Sequence, residues 1–356
     1  MSEPYIDFIR YAIHSGLPVP DGADKIDWAD YLGFCNRQGV IGLVFDGLER
    51  SGLRIPQMTL FEWIGFAERI KQQNAIVNKR ISRVCRFFTE KGCRSVLLKG
   101  QANGLMYPKQ ELRSPGDIDL WCEGKDVDII KLVLKECPEA QYSLHHIKMP
   151  AFDDVSVEVH YRPIFLPNWY KNRKLQKYID KEQERQFCNA VEIGNTKIGA
   201  LTSDFDVIYQ LLHMWHHFFE TRNNFKQMID YYFLLKKWHT ENVTNTDDTD
   251  RTELVALLKD LGVLRYAKGM MWVMKEVLGL EEKYLYTEPD EKIGKLILNE
   301  AMVYGTFSQC KLKQVLQQYT GNLRLLRAFP SEVLISPIYL VWHQWWKLKM
   351  KWKVKC

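Results

Sequence analysis

Residues 155–160, Val-Ser-Val-Glu-Val-His, alternate strictly between apolar and polar side chains. A period of two sends successive side chains to opposite faces, so this stretch fits a β-strand and not a helix. Two more short apolar runs stand upstream: Ser95-Val96-Leu97-Leu98 before Lys99-Gly100, and Ile118 to Trp121 around a second aspartate. Most of the remaining chain has helical spacing. Val77, Ile81, Val84 and Phe88 predict a helix over about 66–90, closed by Lys91-Gly92. Ile208, Leu211, Leu212, Trp215 and Phe219 predict another that starts at Thr202 or Ser203. The expected fold class is therefore α+β: a small mixed sheet with helices, embedded in helical N- and C-terminal extensions.

The expected organisation is a helical part over 1–65, an α/β core over 66–200, a helical part over 201–335 and a basic Trp/Lys-rich tail over 336–356. Leu144–Met149 reads as a hairpin partner of the Val155 strand, and Gly194-Asn195 as the turn of a second small hairpin. Residues 169–187 read as a polar helical excursion. The run from Thr240 to Arg251 reads as a polar surface loop, with helices following to about residue 320.

Composition narrows the class. Apolar residues at 46% and charged residues at 26% are those of a folded, soluble chain. The first twenty residues lack the basic and then apolar order of a signal peptide. No stretch has the roughly 18 unbroken apolar residues of a membrane span. Eight scattered cysteines without a CxxC pair predict free thiols in a reducing cytoplasm and no structural zinc site. The net charge of +5 equals the five lysines of the last ten residues, so residues 1–346 are neutral and carry no broad nucleic-acid footprint. That tail alternates lysine with Leu348, Met350, Trp352 and Val354, which predicts an edge strand or an extended basic arm. Its chemistry leaves open contact with nucleic acid or peripheral contact with a membrane surface. A solvated terminus is the plainer reading.

The acids carry the functional signal. Asp117 and Asp119 share one face if the strand includes both, and like charges there repel unless a basic side chain or a divalent ion lies between them. Mg²⁺ or Mn²⁺ takes such carboxylates together with substrate phosphates, and Glu158 supplies a third acid from a neighbouring strand. Gly100 allows the backbone to approach a phosphate closely, while Lys99 and Arg113 offer positive charge to it. A salt bridge from Lys99 or Arg113 to the strand end is the alternative that involves no function. His160 shares a strand face with Glu158 and is a candidate phosphate contact. His213, one turn from His217 and set against Asp230 on the next helix, is a candidate contact to base or acceptor. His145-His146 reads as a surface pair on a hairpin.

The pattern LLKG, YP, LR, DIDLW and VSVEVHYRP resembles the polymerase-beta-type nucleotidyltransferase superfamily. It is most similar to the bacterial family known only as an uncharacterised nucleotidyltransferase. The similarity spans roughly residues 28–240 and departs from the superfamily at Lys99-Gly100, where Gly-Ser is usual. The resemblance implies an NTP substrate, a metal cluster of Asp117, Asp119 and Glu158, and attack of an acceptor hydroxyl on the α-phosphate with release of pyrophosphate. The acceptor is not encoded in these motifs. A catalytically idle nucleotide-binding or regulatory protein, and a toxin-like modifier of RNA or protein, remain open as alternatives.

Overall fold

The computed structural model describes residues 3–242, 249–303 and 322–355. Part of the expected polar loop at 240–251, and of the helical run expected up to residue 320, lies outside them. Three short helices open the chain: α1 (Glu3–Ile13), α2 (Trp28–Gln38) and α3 (Ile41–Ser51). Asp27 caps α2 by accepting from the Ala29 and Asp30 amides, and Gly39 ends it at φ 68°, a conformation glycine adopts without strain. The long helix α4 (Gln57–Glu90) follows. It begins earlier than its stripe predicts, because Trp63, Ala67 and Asn74 continue the buried face toward the N-terminus.

One seven-stranded mixed sheet forms next, in the order β3-β4-β5-β2-β1-β7-β6. Its strands are β1 (Ser95–Leu97), β2 (Ile118–Cys122), β3 (Gln141–Tyr142), β4 (His146–Met149), β5 (Val157–His160), β6 (Ala190–Ile193) and β7 (Thr196–Ala200). The helices α5 (Gln101–Gly104), α6 (Asp126–Glu136) and α7 (Trp169–Cys188) lie between them in sequence. Alternation divides the sheet. Leu97, Ile118, Leu120, Val157 and Val159 pack into one core with Val77, Ile81 and Val84 of α4 and Ile130 and Val133 of α6. Val96, Leu98 and Trp121 face the other core, with Phe187 of α7 and Phe205. Glu158 and His160 alternate with the valines and so point away from the α4–α6 core. The hairpin expected at Gly194 is present, and β7 also joins the sheet, running parallel to β1. Gly199 makes that approach possible: a Cβ there would lie 2.3 Å from the Ser95 carbonyl oxygen.

The helices α8 (Ser203–Glu220), α9 (Phe225–Asn242), α10 (Thr249–Asp260), α11 (Leu264–Trp272), α12 (Glu291–Met302) and α13 (Pro330–Lys355) complete the described chain. α8 and α9 are buried along most of their length, and side chains of both line a cavity with Lys99, Gly100 and Asp117. No described helix is long and apolar enough to cross a membrane. The described cysteines Cys35, Cys85, Cys93, Cys122, Cys137 and Cys188 are free thiols.

The tail corrects the expectation of a strand or extended arm, because residues 330–355 are helical. The alternation of lysine hides a second spacing, Trp346, Met350 and Val354, one residue per helical turn. Those three pack on the α4–α6 core, where Met350 is buried and the Trp346 ring lies 6.2 Å from that of Tyr142. Trp345, Leu348 and Trp352 are left exposed. Met350→Ala is expected to lower stability by about 2 kcal/mol or more, as for other buried large-to-small changes. Urea unfolding measures this, and no change would mean a tail that does not dock.

Candidate active site

β2 and β5 run parallel with Asp119 directly opposite Glu158. Asp119 is 2% exposed, and Glu158 is half-buried. Together with His160 they offer ligand atoms within 4.8 Å of one another. Asp117 lies one residue before β2, with its side chain exposed at the mouth of the site. It is outside that close group but within its field: partial desolvation by the surrounding walls, then the charges of Asp119 and Glu158, raise the Asp117 pKa. Burial would raise Asp119 too, but Lys99 and His160 outweigh it and hold its carboxyl at about 2. Lys99 Nζ is 3.3 Å from Asp119, and His160 Nε2 is 3.4 Å from it. Lys148 Nζ stands 3.2 Å from Glu158. Both answers to the aspartate pair are therefore open: Lys99 pairs with the buried Oδ2 of Asp119 and compensates it, while Asp119, Glu158 and His160 together carry the donor atoms of an ion site. A carboxylate pair in register, with donor atoms within 4.8 Å of each other, fits a divalent cation.

α8 brings its polar face onto this cluster. His213 Nε2 lies 2.9 Å from Lys99 Nζ and 3.2 Å from His217 Nε2. Asp230, set against His213 in the sequence reading, is instead bonded by Arg113, Tyr107 and Asn103. Burial, then Lys99, hold His217 at about 3, and the same two causes hold His213 well below its ordinary value. His216 is the exception, since its pairing with Glu220 at 3.2 Å outweighs burial and raises it. His145 and His146 are not a surface pair. Both are half-buried, and their rings lie 5.4 and 5.2 Å from that of His160.

Beside the acids a cavity of about 260 Å³ opens between the β1–α5 turn and helices α8 and α9, lined by Lys99, Gly100, Asp117, His213 and Lys226 among others. Gly100 has φ 75° and ψ −115°, a backbone state that side chains disfavour, and it turns the chain from β1 into α5. α5 has only four residues, so its N-terminus adds little to anion binding here. Lys226 was not singled out from the sequence; nothing in its helical surroundings separates it from an ordinary surface lysine. Burial, then Arg113, lower it to about 8.

Arg113 is engaged elsewhere than expected. It is 4% exposed and donates from Nε and Nη2 to both oxygens of Asp230 on α9, at 2.8 and 2.6 Å. Tyr107 and Asn103 also donate to Asp230. Asn74 of α4 donates to the carbonyls of Glu111 and Arg113 at 2.8 and 2.9 Å and so fixes the loop between the two motifs. Arg113 thus ties this loop to α9, forming one wall of the cavity.

Two outcomes follow from this electrostatic arrangement. Asp230→Ala leaves the Arg113 charge buried and unpaired, and is expected to cost about 3–5 kcal/mol in urea unfolding. His217 and His213 titrate lower in the folded protein than their unfolded value of about 6.5. The folded state therefore binds fewer protons, so stability is full above about pH 6.5 and falls as pH drops toward about 3. Thermal unfolding at pH 7 and pH 5 should show this loss, reduced in His217→Gln.

The chain matches no curated protein. Among solved structures, an antigenic nucleotidyltransferase-like protein from Paracoccidioides brasiliensis aligns over 45% of this chain and 75% of its own, with 12% identity and a TM-score of 0.28. The sequence model of a protein family matches much further, over residues 24–279, which include β1 to β7, α8 and α9. That family is described as an uncharacterised nucleotidyltransferase, and this chain belongs to it.

Proposed function

We propose that this protein is a metal-dependent nucleotidyltransferase that moves a nucleoside monophosphate from an NTP to an acceptor hydroxyl. The observation that carries the reading is the pairing of Asp119 with Glu158 in register on parallel strands, beside a cavity walled by Lys99 and Lys226. Mg²⁺ or Mn²⁺ would be held by Asp119 and Glu158, with Asp117 at the mouth. When bound, such an ion neutralises phosphate charge and supplies Lewis acidity at the transferred group.

The side chains divide the remaining work. Lys99 and Lys226 provide the positive charge that a triphosphate needs, and Gly100 leaves room for a phosphate against the backbone. Glu158 takes the proton of the acceptor hydroxyl as it attacks the α-phosphate, and pyrophosphate leaves. His160 keeps Asp119 ionised, and His213 faces the substrate from α8 with Lys99 as its partner. Arg113 positions α9 through Asp230 and also lines the cavity. A wider groove of about 720 Å³, lined by Arg37, Arg69 and Gln73, shares Asn224 and Lys226 with the cavity and gives the acceptor a route to it.

A second reading, an idle nucleotide-binding protein, draws on one observation: the Lys99 ammonium already neutralises Asp119 without an ion. Calorimetry with each NTP, with and without Mg²⁺, separates binding from none. Metal-dependent binding is expected in the wild type and not in Asp117→Asn/Asp119→Asn. Transfer from labelled NTP should fall by about 100-fold or more in Asp119→Asn, since electrostatic stabilisation of this kind dominates catalysis. Binding unchanged by the double substitution would overturn the assignment. Tight binding without any transfer across an acceptor screen would favour the idle reading.

A further inference from the structure

The two carboxylates account for only one side of His160. We propose that His145, His146 and His160 form a second metal site, for a transition-metal ion of the zinc class, chemically distinct from the carboxylate site it adjoins. The site follows from the arrangement of three imidazoles and does not depend on the nucleotidyltransferase reading.

One nitrogen from each ring lies within 4.8 Å of the others. His145 Nε2 and His146 Nδ1 face each other at 3.2 Å. Two nitrogens on one tetrahedral zinc stand about 3.3 Å apart, given Zn–N bonds of about 2.0–2.1 Å. The backbone sets this convergence. His146 pairs directly with His160 across β4 and β5, so their rings lie side by side on one face. His145 precedes β4, where strand alternation does not apply, and its ring turns to the same side, 4.7 Å from that of His146.

Unsatisfied polar atoms at the same place are an independent observation. His160 has 5% of its side chain exposed; its Nε2 faces Asp119 at 3.4 Å, and its Nδ1 is buried without a hydrogen bond. His145 Nδ1 is buried in the same state. Leaving such groups without partners is costly, and an ion on the imidazole lone pairs removes part of that cost. The surroundings also fit. His146 Nε2 lies 3.8 Å from Glu158 Oε2, and His160 Nε2 lies 3.4 Å from Asp119 Oδ1. Carboxylates behind ligating histidines orient the rings and strengthen them as donors. Three imidazoles select zinc, iron, nickel or copper and suit Mg²⁺ poorly, whereas the carboxylate pair suits Mg²⁺. Two sites of different hardness therefore meet at His160.

Cobalt(II) titration of the full chain, followed by visible absorption, tests the site directly. One Co²⁺ per chain is expected, with the d–d bands of a nitrogen-rich, low-coordinate ion and displacement by Zn²⁺. His145→Gln and His146→Gln, made separately, should each weaken Co²⁺ binding by more than the roughly 10–100-fold caused by loss of an outer-shell partner. Circular dichroism identifies a variant that has simply failed to fold, and the other variant then decides. Asp117→Asn should keep the Co²⁺ bands while losing Mg²⁺-dependent ATP binding. No Co²⁺ bands in the wild type, or bands unchanged in both histidine variants, would overturn the proposal, as would their loss in Asp117→Asn alone. Co²⁺ bound at the histidines in a protein that binds no NTP would sustain the second site and count against the transferase reading.

Discussion

The placement of Asp119 opposite Glu158 is the constraint on which the rest of the structure depends. Ligand oxygens no more than 4.8 Å apart carry two like charges, one of them deeply buried. Their repulsion is roughly 3–4 kcal/mol at an effective dielectric of about 20, a large share of the stability of a typical domain. The fold offsets it locally. Lys99 comes from the end of β1, His160 from β5 and Lys148 from β4, so the strands that flank the acids also supply their compensation. Lys99 in turn is held by His213, which makes the seating of α8 part of the same arrangement.

A second polar cluster fixes the walls. The chain between Lys99 and Asp117 holds only the four-residue α5 and one 3-10 turn, yet it lines the cavity and must keep its shape. Asn74 grips it from α4 through two carbonyls, and Arg113 grips α9 through both oxygens of Asp230. These contacts involve buried, fully engaged groups, and that is the condition under which polar networks give rigidity. The cavity is thus set by elements more than a hundred residues apart in sequence, before any ligand arrives. Preorganisation of this kind is what positioning catalysis requires.

The same geometry explains why histidines accumulate here. Seven of the nine histidines in the chain are His145, His146, His160, His213, His216, His217 and His343, and their charges act on one another across β4, β5, α8 and α13. Burial, the largest cause, holds His145, His213 and His217 below their ordinary value, so near neutral pH these rings fill a polar interior without adding charge beside Lys99. They also offer lone pairs, a different donor chemistry from that of the adjacent carboxylates.

Local periodicity and motif spacing made much of this legible in the sequence. The alternating valines declared β5 and put Glu158 and His160 together; the stripe from Val77 to Phe88 declared α4; the DID run and Lys99-Gly100 pointed to the candidate site. Each of these signals lies within a few residues, where backbone geometry alone sets which side chains share a face. Tertiary structure decided what depends on distant partners. It committed Arg113 to Asp230, brought Lys226 to the cavity, turned His145 and His146 inward and docked the tail as a helix through Trp346, Met350 and Val354. The tail shows the reason most plainly. Its alternation of lysine was real, but periodicity sets only which faces are possible, and the apolar surface beside α6 selected the face that is buried.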